Sequence, residues 1–216
     1  VDVIENGVDG DRFAPLGVKR EESRARFVMR ATTLVLPGRI ARQKNQLAAI
    51  RAVAMLRARG EWPDGARLVL AGRVEAHARY VRWVDLAIRA LRVADVVTRI
   101  DPVRDAERLL AAADGVLLPS RFEGLPNVVL ESLACGTPPI VSPEANADAL
   151  VDAQSGGVLR GSRARDVADG MRRFFATSPS EREVMGARGR AAVLARFDVG
   201  KMVAATCAVY ERVTQS

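Results

Sequence analysis

The chain has 216 residues, 49% hydrophobic and 27% charged, enough for one generous globular domain or two small ones. Its 33 Lys and Arg against 26 Asp and Glu give a net charge of +7 that favours anionic partners, yet aromatic residues are only 5% and no basic run is interleaved with stacking rings, which sets nucleic acid aside. A single histidine, His77, excludes a multi-histidine metal site, and Cys135 and Cys207 stand too far apart for a metal or redox spacing, so a reduced, cytoplasmic setting is expected.

Along the chain, short β-branched or Leu-rich runs alternate with amphipathic segments, the pattern of parallel strands joined by helices. The first strand is expected over Thr33 to Leu36, and GRIARQK, with Arg39 and Lys44, follows it. Asn45 to Arg59 then places Leu47, Ile50, Val53, Ala54 and Leu56 on one broad helical face. A strand at Leu68 to Ala71, a helix at Tyr80 to Leu91, a strand at Val96 to Ile100 with Arg99 at its end, and a helix at Asp105 to Ala113 come next. The strand Gly115 to Pro119 leads through a loop holding Glu123 and Gly124 into a helix over Pro126 to Cys135. Pro139 to Ser142 is the fifth strand, and because Pro139 has no ladder donor the strand must begin after it or lie where that N–H is unused.

Beyond Ser142 come a loop, a short GGVLR stretch at 156 to 160, and helices at Ala164 to Phe175, Glu181 to Arg196 and Gly200 to Val213. In the last, Met202, Val203, Thr206, Val209, Tyr210 and Val213 form an apolar stripe, its first half expected to pack on its own domain and its second half to expose apolar surface. The fold class expected is therefore α/β, a Rossmann-like parallel sheet with helices on both faces, ending in a helical segment. In such sheets ligands lie beyond the carboxyl ends of the strands, where Arg39, Lys44, Arg99 and Glu123 all fall.

The segment SRFEGLPNVVLESLACGTPPIVS carries the most chemistry, with Glu123 and Glu131 bracketing a glycine turn and a helix start. Pro126 suits a first helical position, and the free N–H groups that follow offer a place for a phosphate. From Pro126 to Glu131 the rise is only about 7 Å, so one ligand can reach both. Glu131 sits among Val128, Val129, Leu130, Leu133 and Ala134, where a carboxylate needs a partner, either a ligand hydroxyl or an internal arginine. Arg39 and Lys44 read as anion ligands or as solvated loop cations.

This segment resembles the donor-sugar signature of family 4 glycosyltransferases, retaining enzymes of the GT-B fold. LPGRIARQKNQLAAIRAV is similar to the family's Gly-Arg, four residues, Lys stretch, and VIENGVDGDRFAP to its interdomain connector. The resemblance implies the C-terminal half of a GT-B fold: a connector at 1–20, a nucleotide-sugar domain at 21–198, and a terminal helix at 199–216 turned toward an N-terminal half, an expectation that the opening Val1 supports. It implies a UDP or GDP sugar donor, with Arg39 and Lys44 on the diphosphate, Glu123 facing the transferred sugar, Gly124, Leu125 and Pro126 on phosphate, Glu131 on the ribose hydroxyls and Arg99 near the base. No metal or other cofactor is expected. The acceptor is expected to be a glycan or lipid-linked molecule of envelope polysaccharide or glycolipid synthesis, with peripheral association at the inner face of a bacterial membrane.

Asn45 replaces a common glycine of the family, Glu5 a proline, Pro139 a Val or Ile, and VTRIDPV lacks the usual glycine. A nucleotide-sugar epimerase of the same architecture and a non-catalytic partner subunit remain alternatives. The two-carboxylate chemistry of glycoside hydrolysis has no use for Arg39, Lys44 and the helix start, and no G-x-G-x-x-G opens a helix as a nicotinamide enzyme would need.

Overall fold

The computed structural model describes residues 3–27, 29, 31–74 and 79–214, so that His77 lies outside the described residues. Its strands are β1 (Thr33–Pro37), β2 (Arg67–Ala71), β3 (Val97–Ile100), β4 (Gly115–Leu118), β5 (Pro139–Val141) and β6 (Gly157–Val158). They pair in parallel in the order β3-β2-β1-β4-β5-β6, so the direction of winding reverses between β1 and β4. The helices are α1 (Arg20–Arg26), α2 (Gln46–Ala58), α3 (Arg79–Ala90), α4 (Ala106–Ala112), α5 (Asn127–Ala134), α6 (Ala164–Ala176), α7 (Pro179–Phe197) and α8 (Val199–Thr214).

The strands are continuous apolar runs because helices cover both faces of the sheet. From β1, Leu34 and Leu36 join Ile50 and Leu56 of α2 and Met171 of α6 on one face. Val35, one residue out of phase, meets Leu109, Phe27 and Met29 on the other. In β4, Leu117 belongs to the α2–α6 side, while Val116 and Leu118 meet Val129, Leu130 and Leu133 of α5 and Phe197 of α7. Helices α5 and α7 approach closely enough that a Cβ at Gly186 would fall 1.9 Å from the carbonyl oxygen of Gly136.

Pro139 opens β5, where the missing donor is tolerated, because Val116 donates instead to the carbonyl of Pro138 (3.1 Å). At the amino ends of the strands Arg24, 8% exposed, donates to the carbonyls of Ala112 (2.9 Å) and Ala31 (2.7 Å) and to Asp114 Oδ2 (3.1 Å). Asp114 in turn accepts from the Thr33 backbone N–H (2.8 Å) and from Arg20 (2.8 Å), which ties α1 to β1 and to the turn before β4.

The structure adds one helix and corrects one helix start. Helix α1 was not anticipated, since REESRAR has no apolar stripe and is held by the Arg24 network. Pro126 is the N-cap of α5, with extended φ/ψ of −76° and 108°, and Asn127 is the first helical residue. No residue of α8 is fully buried, but Met202 and Thr206 in its first half are half-buried, and Met202 Sδ accepts from the Gly7 N–H at 3.1 Å. The connector lies along the α7–α8 junction: Val8 donates to the Phe197 carbonyl (2.7 Å) and Val199 to that of Val8 (3.1 Å). Arg190 of α7 donates to the carbonyls of Gly10 (3.0 Å) and Phe13 (2.8 Å), and Arg196 pairs with Glu5, the residue that stands in place of the family's proline.

Candidate functional site

At the carboxyl edge, the loops leaving β1 and β4 run side by side at the point where strand order reverses, the place an open α/β sheet offers a ligand. Arg121 N–H donates to the Gln43 carbonyl (2.9 Å) and the Asn45 side-chain amide to that of Pro119 (3.0 Å). Asn45 holds φ 59° and ψ 36°, the left-handed region that asparagine tolerates best after glycine. Gly72 must be glycine for a steric reason, because a Cβ there would lie 2.0 Å from the Gly38 carbonyl oxygen. The tips of β1 and β2 thereby close one end of a cavity of about 260 Å³.

Lys44 and Glu131 line that cavity together with Val128 from the first turn of α5 and Pro102 and Val103 beyond β3. Lys44 Nζ lies 2.6 Å from Glu123 Oε1, with side-chain exposures of 15% and 9%. Gln43 Nε2 donates to the other carboxylate oxygen of Glu123 (3.3 Å) and to the Phe122 carbonyl (3.0 Å), and the Glu123 N–H is held by the Glu144 carbonyl (3.1 Å).

Glu131 differs. No hydrogen-bond donor among the described residues reaches its carboxylate, and the nearby Arg12 pairs with Glu107 instead (3.3 Å). Burial pushes its carboxyl above the ordinary glutamate range, opposed by Arg12 and reinforced by Glu107. The internal salt bridge that could have explained this glutamate is therefore not made. A folded-state value raised above the unfolded one means that this carboxyl favours folding below the unfolded value and loses that contribution as pH rises through the folded value. Glu131→Gln should accordingly raise the melting temperature at pH 7, with the two proteins converging as pH falls below the ordinary glutamate range; melting curves across pH 3 to 8 check this, and equal melting at pH 7 would contradict it.

The other expected residues are placed as follows. Arg39 is exposed directly after Gly38, and its carbonyl accepts from the buried amide of Gln46 (2.9 Å), which seats the start of α2. Gly124 is exposed with open space where a Cβ would project, Leu125 packs partly on the core beneath α5, and Pro126 is buried with no side-chain cap on the helix it opens. Arg99 is not brought to the cavity: its guanidinium pairs with Asp85 of α3 at 3.2 Å, and Pro102 and Val103 form the wall at that end. Gln43 and Asn45 were missed as positioning residues. Their signal was the polar run after Arg39, whose backbone must turn into α2. The cysteines behave as expected, Cys135 buried with its thiol pushed up to about 12 by burial, Cys207 exposed.

A larger groove of about 830 Å³ lies at the other edge, between β6, α6 and α7, and holds none of these residues. Its carboxylate, Glu181, is occupied in a capping box with Ser178. No group of three or more His, Cys, Asp or Glu suited to a metal occurs among the described residues.

Comparison with known proteins agrees with this geometry. The model of the family "Glycosyl transferases group 1" matches residues 31–177. The D-inositol 3-phosphate glycosyltransferase of Arthrobacter sp. (strain FB24) is 33% identical over 202 residues, covering 90% of this chain and 45% of that protein. The GDP-mannose-dependent alpha-(1-6)-phosphatidylinositol monomannoside mannosyltransferase of Mycolicibacterium smegmatis is 30% identical over 195 residues, covering 85% of this chain and 49% of that one. This chain thus spans about half the length of the curated relatives it matches. Among solved structures, Anabaena HepE in complex with UDP and glucose superposes with a TM-score of 0.85 at 20% identity, over 100% of this chain and 57% of that one. The C-terminal domain of a group 1 glycosyl transferase, LpcC, from Francisella tularensis does so at 0.78 and 18% identity, over 89% and 100%. The sheet order and these matches agree, and the chain belongs to the group 1 glycosyl transferases, as a Rossmann-like domain of GT-B type.

Proposed function

We propose that the chain is the donor-binding half of a retaining glycosyltransferase that moves a hexosyl or N-acetylhexosaminyl unit from a UDP or GDP sugar to a glycan or lipid-linked acceptor. The observation that carries this reading is Glu131, a half-buried carboxylate that meets no donor among the described residues and shares its cavity with the Lys44 ammonium. Two vicinal ribose hydroxyls would supply the missing donors. Lys44 and Arg39, with the uncapped amides at the start of α5, would meet the diphosphate, and fixed positive groups of this kind stabilise the charge that grows on a leaving phosphate. Gly124 and Leu125 would offer backbone N–H groups to the phosphates, and Pro102 and Val103 an apolar wall for the base. Arg99, paired with Asp85, is left with its backbone as its contribution there.

Glu123 would face the sugar hydroxyls, while the leaving phosphate takes the proton of the acceptor hydroxyl as the acceptor oxygen bonds the anomeric carbon on the same face. Charge neutralisation by Arg39, Lys44 and α5 would need no metal. The relatives whose names carry inositol support a hydroxyl acceptor, and the enzyme's place would be envelope polysaccharide or glycolipid assembly, cytoplasmic and peripheral at the inner face of a bacterial membrane. Among the described residues no helix is long and apolar enough to cross a membrane. Residues 1–20 would connect to an N-terminal half, 21–198 bind the donor, and 199–216 reach that half; the exposed end of α8, with Tyr210 at 68% and Val213 at 70% exposure, supports this. Calorimetric titration with UDP, GDP and their sugars tests the site. Glu131→Gln should weaken the nucleotide that binds by about tenfold, the loss of a hydrogen bond to a charged group. Equal affinity in the two proteins would refute the ribose assignment.

A further inference from the structure

The Lys44–Glu123 pair has a consequence for which ligands the site accepts. The carboxylate occupies, at 2.6 Å, a position on the ammonium that a phosphate oxygen would take. The two members of the pair are not equally held. Glu123 is fixed through its backbone N–H by Glu144 and through its second oxygen by Gln43, whereas Lys44 sits on a flexible stem against Gly38. If a diphosphate draws Lys44 away, Glu123 stays where it is.

We infer that Glu123, anchored by Gln43, is an internal anion that competes with phosphate for Lys44 and so selects ligands that carry a hydroxyl-bearing group beyond the diphosphate. A sugar's hydroxyls replace the lost ammonium on Glu123. A bare nucleoside diphosphate does not, and it leaves a nearly buried carboxylate with the Gln43 amide as its remaining side-chain donor, a costly state for a charge out of water. The selection favours the sugar nucleotide over the bare nucleoside diphosphate. Gln43 is a positioning residue in this scheme: it keeps Glu123 from following Lys44.

This deepens the proposed donor site and rests on it, so the test has an arm that does not need a nucleotide. Affinities of inorganic pyrophosphate, UDP or GDP, and the corresponding sugar nucleotide are measured by calorimetry on the unsubstituted chain, Glu123→Gln, Gln43→Leu and Lys44→Ala, each checked for folding by circular dichroism. Glu123→Gln should bind pyrophosphate and the nucleoside diphosphate about tenfold tighter than the unsubstituted chain, since the amide no longer competes for the ammonium. Its preference for the sugar nucleotide over the diphosphate should shrink by a similar factor, and Gln43→Leu should shrink that preference too. Lys44→Ala should bind all of the ligands weakly. If Glu123→Gln, folded, binds pyrophosphate no tighter than the unsubstituted chain, the inference is overturned. If pyrophosphate responds as expected but no nucleotide binds, competition for Lys44 stands and the donor reading is what fails.

Discussion

Lys44→Ala is expected to weaken nucleotide-sugar binding by about 1.5–3 kcal/mol, roughly 10- to 100-fold, the range for a hydrogen bond to a charged group. The ammonium lines the same cavity as Glu131 and Val128, so in the proposed pose a ligand spanning ribose and diphosphate passes it. Stability should fall as well, because Glu123, 9% exposed, loses its counter-charge and keeps the Gln43 amide. The two effects separate in a double-substitution cycle: Lys44→Ala with Glu123→Gln should regain the stability and none of the affinity. Denaturant melts and titrations on the four proteins read both, and a double variant that binds like the unsubstituted chain would remove Lys44 from the site.

At the opposite edge of the sheet, Arg24→Ala should cost about 3 kcal/mol or more of folding stability, the scale of breaking a buried ion pair from one side. Arg24, with 9% of its side chain exposed, is shared between two backbone carbonyls and Asp114; its removal leaves the Ala112 carbonyl without its donor, while Ala31 keeps the Thr33 hydroxyl and Asp114 the Thr33 N–H. Arg20 keeps one oxygen of Asp114, which sets the loss toward the lower end of that range. Urea unfolding measures it. Nucleotide affinity of the folded variant should stay unchanged, since Arg24 lies at the amino ends of the strands and the cavity at their carboxyl ends. A loss below about 1 kcal/mol would show that the network is not what holds α1 to the sheet.

What the sequence revealed follows from which signals are local. Strands such as LVL at 34–36 and VLL at 116–118 are buried on both faces, so their apolar runs stand out against flanking glycine and charge. Helix α2 packs on the sheet, α3 and α6 and leaves only Arg51, Arg57 and Ala58 exposed, so its signal is an apolar run broken by those arginines. Helix α1 carries no such pattern; long-range hydrogen bonds to Ala112 and Asp114 hold it, and no window of sequence contains both ends of those bonds. The start of α7 was legible and passed over: Ser178, Pro179 and Glu181 spell a capping box with proline at the first position.

At the site, Lys44 and Glu131 converge because the strand order carries the β1 and β4 loops to one rim, which the alternating pattern implies. The direct Lys44–Glu123 contact and the turn of Arg99 toward Asp85 depend on side-chain rotamers across elements 79 and 14 residues apart, and nothing local encodes those. Asn45 was visible as a departure from the family's glycine, and its positive φ explains why asparagine serves there.

The most direct test is a crystal structure of this chain with the sugar nucleotide that titration selects. The account predicts the pyrophosphate between Lys44 and the first turn of α5, both ribose hydroxyls on Glu131, and Glu123 released from Lys44 onto the sugar. A nucleotide seated instead in the groove between β6, α6 and α7, with the Lys44–Glu123 pair intact, would contradict it.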